Sequence, residues 1–225
     1  MRLLIFDIDG TLLKADDICF EIGSFSQAFS NICQRQLRVK ECFEYKNYTD
    51  LGIFSESYYD IFKELPSNSH LSSFERLYSE NVRESLRNGV FKILEIPGAC
   101  RFIAKLMATE GFHIAIATGN LEAVAKLKLN EISLDDLEVP IASSNDSHRR
   151  EEILGKAIVR SQEYYNQSYD KVIYFGDGEW DFKATKLLDI PLIGIGSNKV
   201  FQENNVVCFS NFLDTQIIMD EINRV

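Results

Sequence analysis

Asp7 and Asp9 stand one residue apart in MRLLIFDIDGTLL, behind an apolar run and ahead of a Gly-Thr pair. Carboxylates this close repel each other and lose hydration together when a fold covers them. A cation beside them removes the repulsion, so the pair reads as a centre for metal-assisted or acid–base chemistry. Three further polar clusters offer chemistry that would complete it. Thr118, Gly119 and Asn120 supply a hydroxyl and exposed backbone amides; GDGEWD supplies Asp177 and Asp181; SSNDSHRREE, at 143–152, supplies Arg149 and Arg150. Gathered at one place, these groups would form an anion-plus-metal site.

The elements around them must do the gathering. RLLIFDI, at 2–8, is nearly continuous in apolar residues, the pattern of a strand buried on both faces of a parallel sheet. Similar runs recur at 112–117, 171–175 and 190–195, with shorter ones at 139–143 and 205–209. Helical periodicity fills the intervals, over 99–110, 121–130, 150–165 and 179–188. The alternation predicts an α/β fold with a doubly wound, Rossmann-like parallel sheet. Such sheets bind ligands outside the carboxyl ends of their strands. Each polar cluster follows a strand or opens a helix, so the topology brings all of them to one edge.

Residues 15–91 break the alternation. Phe25, Phe29 and Ile32 fall on one helical stripe, Phe74, Leu77 and Tyr78 on another, and LPSNSH at 65–70 reads as a connection between helices. The stretch is too long for a plain loop. It predicts a helical domain inserted into a sheet domain made of 1–14 and 92–225.

Composition sets the outer bounds. The chain has 225 residues, enough for one large domain or one with a smaller companion. A 45% apolar content and 26% charge describe a soluble, globular chain. The net charge of -10 argues against a nucleic-acid or anionic-membrane partner, while leaving room for a locally positive site. No apolar run approaches the ~20 residues of a membrane helix. Five cysteines, without metal-site spacing, fit a reducing cytoplasm.

DIDGT at 7–11, ATGN at 117–120 and GDGEWD at 176–181, in that order, resemble the first, second and fourth motifs of the haloacid dehalogenase superfamily. The resemblance covers the sheet domain, and the insert sits where many members carry a helical cap. It implies a Mg²⁺-dependent hydrolase of small-metabolite phosphate monoesters. By that resemblance Asp7 is the nucleophile and Asp9 the acid and base. Thr118, Gly119 and Asn120 bind phosphate. Asp7, Asp9 (through its carbonyl), Asp177 and Asp181 hold the metal, Asp181 either through water or by fixing the other ligands.

The third motif departs from the family, which places a lysine before a helix. SSNDSHRREE has none; Arg150 is the best positional match, Arg149 the second, and Lys156 lies further along the helix. Arginine can bridge phosphate oxygens bidentately, so the exchange is chemically sensible.

Each residue also has a plainer reading. Asp-Gly is a common turn, Thr118 a fitting helix cap, and Arg150 a surface partner for Glu151. His148 reads as a surface or capping residue, Trp180 as packing, and Phe25, Phe54, Tyr58, Tyr59 and Phe74 as the insert's own core. Two other functions stay open: a sugar-phosphate mutase, which shares the first motif, and a non-catalytic phospholigand-binding member, against which the complete Asp7, Asp9 and Asp177 argue. Phosphonate cleavage would need a cap lysine, and no motif marks Lys14 or Lys46. The expected assembly is a monomer or homodimer.

Overall fold

The N-terminal apolar run becomes the middle of the sheet. A computed structural model describes residues 1–134 and 137–225, with the side chains of Phe20 and Glu21 set aside. In chain order the elements are β1 (Arg2–Phe6), β2 (Leu13–Ala15), α1 (Ile18–Cys33), α2 (Asp50–Phe62), α3 (Asn68–Arg87) and β3 (Ile93–Glu95). Next come α4 (Ala99–Met107), β4 (Phe112–Ala117), α5 (Glu122–Glu131), β5 (Ile141–Ala142), α6 (Arg150–Tyr165) and β6 (Lys171–Gly176). The chain closes with α7 (Glu179–Leu187), β7 (Leu192–Ile195), α8 (Lys199–Glu203), β8 (Cys208–Phe209) and α9 (Thr215–Arg224).

The six-stranded sheet runs β5-β4-β1-β6-β7-β8, with every neighbouring pair parallel. Phe6 lies opposite Ile116 on one side and Phe175 on the other. The chain builds outward from β1 through β4 to β5, then returns to β6 on the opposite flank. The reversal leaves a crevice at the carboxyl end of β1. Asp7 follows β1 directly.

Both faces of β1 are covered, which is why its sequence does not alternate. Leu4 and Phe6 join α4, α5 and α9 through Phe102, Leu106, Val124, Leu129, Ile218 and Ile222. Leu3 and Ile5 join α6 through Ile153, Leu154 and Ala157. Phe6 stacks on Phe175 at 4.5 Å between ring centroids. Each such side chain taken fully from water stabilises the fold by about 1.5–3 kcal/mol.

Between β2 and β3 lie α1, α2 and α3. Phe54 stacks on Phe74 at 4.4 Å, and Phe25 meets the same ring edge-on at 4.8 Å. Phe25, Phe54, Tyr58 and Phe74 are buried as expected; Tyr59 instead faces solvent, 48% exposed. It falls on the far side of α2 from Tyr58, because adjacent helical residues point about 100° apart. His70 has a local task, accepting the Ser67 backbone N–H at the start of α3.

Several elements differ from the sequence reading. Leu13–Ala15 pairs antiparallel with Ile93–Glu95, forming a short ladder where the chain enters and leaves the helical segment. Three-residue strands carry too little periodicity to stand out. The C-terminal helix α9 was not expected, although Ile218, Met219 and Ile222 make its buried stripe. The strands expected over 139–143 and 205–209 shorten to Ile141–Ala142 and Cys208–Phe209.

Candidate active site

The turn after β1 is tight. Thr11, Leu12 and Leu13 all direct their backbone N–H groups to the Ile8 carbonyl, and Gly10 donates back to Leu13. Gly10 has φ +73, and a Cβ there would lie 2.0 Å from Asp177 Oδ2. The first motif is thereby pressed against the loop after β6. Gly176 and Gly178 likewise leave room for Asp181 and for the Trp180 ring.

Asp7, Asp177 and Asp181 meet here, each offering a carboxylate oxygen within 4.8 Å of the others. Asp181, at the third position of α7, is fully buried. Its Oδ2 accepts the backbone N–H groups of Asp177 at 3.1 Å and Gly178 at 3.0 Å, and its Oδ1 accepts the Tyr174 hydroxyl at 3.0 Å. Asp181 thus sets the loop that carries Asp177. By contrast, Asp177 Oδ1 is buried with no hydrogen-bond partner. An orphaned oxygen beside two more carboxylates suits a small, hard cation, so this donor set fits Mg²⁺.

Arg150 opens α6 and points inward. Its Nη2 donates to Asp7 Oδ2 at 2.8 Å and lies 3.2 Å from Asp181 Oδ1. Nε and Nη1 are buried without a hydrogen-bond partner. Arg149 turns outward to Glu151 and Glu152, so the surface pairing available to Arg150 goes to its neighbour. Lys156 is exposed further along α6.

The electrostatics follow from crowding. Burial, helped by Asp181 and Asp9 and opposed by Arg150, raises the Asp7 carboxyl to about 7. Burial, with Asp181 and Asp7, raises Asp177 to about 8. Burial works against the charge on Arg150, yet Asp7, Tyr174 and Asp181 outweigh it and hold the guanidinium above its usual range. Burial, Asp181 and Asp7 push the Tyr174 phenol well up, so it remains a donor.

Asp9 belongs to a second network, absent from the sequence reading. Lys128, fully buried, donates to both Asp9 oxygens at 2.9 Å and to Asn120 Oδ1 at 3.0 Å. Asn120 Nδ2 donates to Asp9 Oδ2 at 2.5 Å and to Thr118 Oγ1 at 2.9 Å. A signal was available. Lys128 falls seven residues after Leu121 and three after Ala125, on the apolar stripe of α5 where a solvated lysine does not belong.

A cavity of about 380 Å³ opens over Asp7, Asp9, Asn120, Gly119, Arg150 and Asp177. Thr118 and Asp181 are not in its wall; both lie behind it, fully buried. The helical segment forms the other wall with Ile18, Tyr48, Thr49, Asp50 and Ile53, and Lys14 of β2 also lines it. Hydrogen bonds join the segment to the sheet loops. Thr49 Oγ1 donates to the His148 carbonyl at 2.9 Å and Asp50 N to the Gly119 carbonyl at 2.8 Å. Leu51 N donates to Ser144 Oγ at 2.8 Å, and Leu121 N to Asp50 Oδ2 at 2.7 Å. Trp180 is more than packing: it lines the cavity and lies against the Tyr48 ring at 4.5 Å. His148 takes part through its backbone; burial lowers its ring below the usual histidine range.

The fold, the crevice at β1 and the acidic cluster are those of a haloacid dehalogenase-like protein. The model of the haloacid dehalogenase-like hydrolases matches residues 4–195, and the chain belongs to that family. No curated protein matches it in sequence. Among solved structures, a hydrolase from Pseudomonas syringae is 18% identical, with 99% of each chain covered and a TM-score of 0.71. A "predicted phosphoglycolate phosphatase" from Haemophilus somnus 129pt is 15% identical, with 96% of this chain and 97% of that one covered and a TM-score of 0.66. A β-phosphoglucomutase from Pyrococcus sp. strain ST 04 is 17% identical, with 96% and 97% covered and a TM-score of 0.57. At these identities the likeness is one of fold. Among the described residues, no helix is long and apolar enough to cross a membrane.

Proposed function

We propose that the protein hydrolyses phosphate monoesters of small metabolites through an aspartyl-phosphate on Asp7. The observation that carries this reading is Arg150. Its two buried donors lack a partner, and it sits in the cavity wall beside the Asp7 carboxylate. A planar cation with unused N–H groups next to a nucleophile suits a phosphoryl group, which is anionic and accepts bidentate hydrogen bonds.

Asp7 attacks phosphorus, forming an Oδ–P bond as the bond to the leaving oxygen breaks. Asp9 gives that oxygen a proton. A water then attacks phosphorus, Asp9 takes its proton, and inorganic phosphate leaves Asp7 unchanged. Gly119, before α5, supplies its backbone N–H group to the phosphoryl oxygens, while the Asn120 backbone N–H is held by Thr118 Oγ1. Asp7 and Asp177, with the Asp9 carbonyl, would hold Mg²⁺, and Asp181 would keep Asp177 in place. A bound Mg²⁺ would neutralise charge that otherwise repels the nucleophile from the phosphoryl oxygens. The helical segment would act as a cap, shielding the reaction from bulk water and choosing the substrate.

The test is phosphate release from a panel of small phosphomonoesters, with Mg²⁺ and with chelator. Release that requires Mg²⁺ supports the reading, and the ranking of esters begins to define the substrate. Silence on every ester, with the protein folded, would contradict it.

A further inference from the structure

Lys128 has no part in the mechanism above, yet it is a fully buried ammonium joined to the proposed acid. It is not in the cavity wall, so it meets Asp9 from behind. Burying an ammonium carries a large desolvation penalty, and an apolar side chain of similar length would pack α5 as well or better. Its retention therefore points to a task. The contacts define one. Lys128 reaches both Asp9 oxygens at 2.9 Å, which restrains rotation of the carboxyl group. It also occupies Asn120 Oδ1, so the amide must present Nδ2 to Asp9 and Thr118. Arg150 serves Asp7; Lys128 serves Asp9.

We propose that Lys128 is a positioning residue, which with Asn120 holds the Asp9 carboxyl aimed at the leaving oxygen. The proposal rests on the phosphatase reading above. It requires that removal of Lys128 act through Asp9.

The experiment compares kcat/KM for an alkyl phosphate and for p-nitrophenyl phosphate, both with Mg²⁺. The proteins are the wild type, Lys128→Met, Asp9→Asn and the double variant. An alkoxide needs a proton in order to leave; p-nitrophenolate needs one far less. The expected result is that Lys128→Met loses ~10–100-fold more on the alkyl ester than on the aryl one. Adding Lys128→Met to Asp9→Asn should change the alkyl rate by less than ~3-fold. The ratio of two esters within one preparation does not depend on the folded fraction, so a poorly folding variant still reports. Equal losses on both esters, or the same further loss in the Asp9→Asn background, would overturn the proposal and leave Lys128 a packing residue. If the wild type cleaves neither ester, the phosphatase reading itself fails, and the role of Lys128 falls with it.

Discussion

Gly10 packs directly against Asp177: a Cβ on Gly10 would stand 2.0 Å from Asp177 Oδ2. Gly10 also has φ +73, which an L side chain adopts only with strain. Gly10→Ala should therefore displace the Asp177 carboxylate. The expected outcome is a loss of ~10²-fold or more in Mg²⁺-dependent phosphate release, the scale of an ångström-sized misplacement. Steady-state kinetics over a Mg²⁺ titration would check it. Wild-type activity at ordinary Mg²⁺ would mean that Asp177 is not held where the metal needs it.

The Tyr48 ring of the helical segment lies against Trp180, near the start of α7. Trp180 is the only tryptophan in the chain, so its fluorescence reports that contact directly. Tyr48→Ala should make Trp180 more accessible to acrylamide quenching. It should also raise KM by about 2–10-fold, as expected from an aromatic pair worth about 0.5–1.5 kcal/mol. Unchanged quenching would argue that the segment does not dock through this pair.

The raised carboxyls make stability depend on pH in a direction that Mg²⁺ opposes. Asp7 and Asp177 titrate at about 7 and about 8 in the fold, against an ordinary carboxylate value of 3.8. Between those values the folded chain holds protons that the unfolded chain has released. Their contribution is full below the ordinary value and is lost as pH rises through the raised ones. With chelator present, Tm should fall by several degrees between about pH 5.5 and pH 8, at about 2–4 °C per kcal/mol for a chain of this length. Mg²⁺ binds deprotonated carboxylates, so the Tm gain it brings should grow over the same interval. A flat Tm in chelator, or a larger Mg²⁺ gain at acid pH, would contradict the assignment of these residues as ligands.

The parts of the fold that were legible in sequence are those with long, uninterrupted burial. β1, β4 and β6 are covered on two faces, so RLLIF, FHIAIA and KVIYF advertise themselves. The ends of those strands then located Asp7, Asp9, Gly119, Asn120 and Asp177 at one edge. Arg150 was legible because it opens a helix at the position where a cation was sought. Other features were hidden for stated reasons. β2 and β3 are too short to show a period. Asp181 was named, with fixing the other ligands as one of its two roles; which amides it would accept, those of Asp177 and Gly178, depends on the turn rather than on spacing. Tyr48 and Thr49 lie outside any motif, because docking onto a loop leaves no periodic trace. Lys128 was within reach, since a charge on the apolar stripe of α5 asks for a buried partner.

The most direct measurement is to find the phosphoryl group. The protein would be quenched during turnover, treated with borohydride, which reduces an aspartyl-phosphate to homoserine with release of phosphate, then digested and read by mass spectrometry. The wild type and Asp9→Asn, whose second step should be slowed, are expected to carry the modification on the peptide that contains Asp7. Asp7→Asn should carry none and release no phosphate. A modification mapped to another residue, or turnover that survives Asp7→Asn, would contradict Asp7 as the nucleophile.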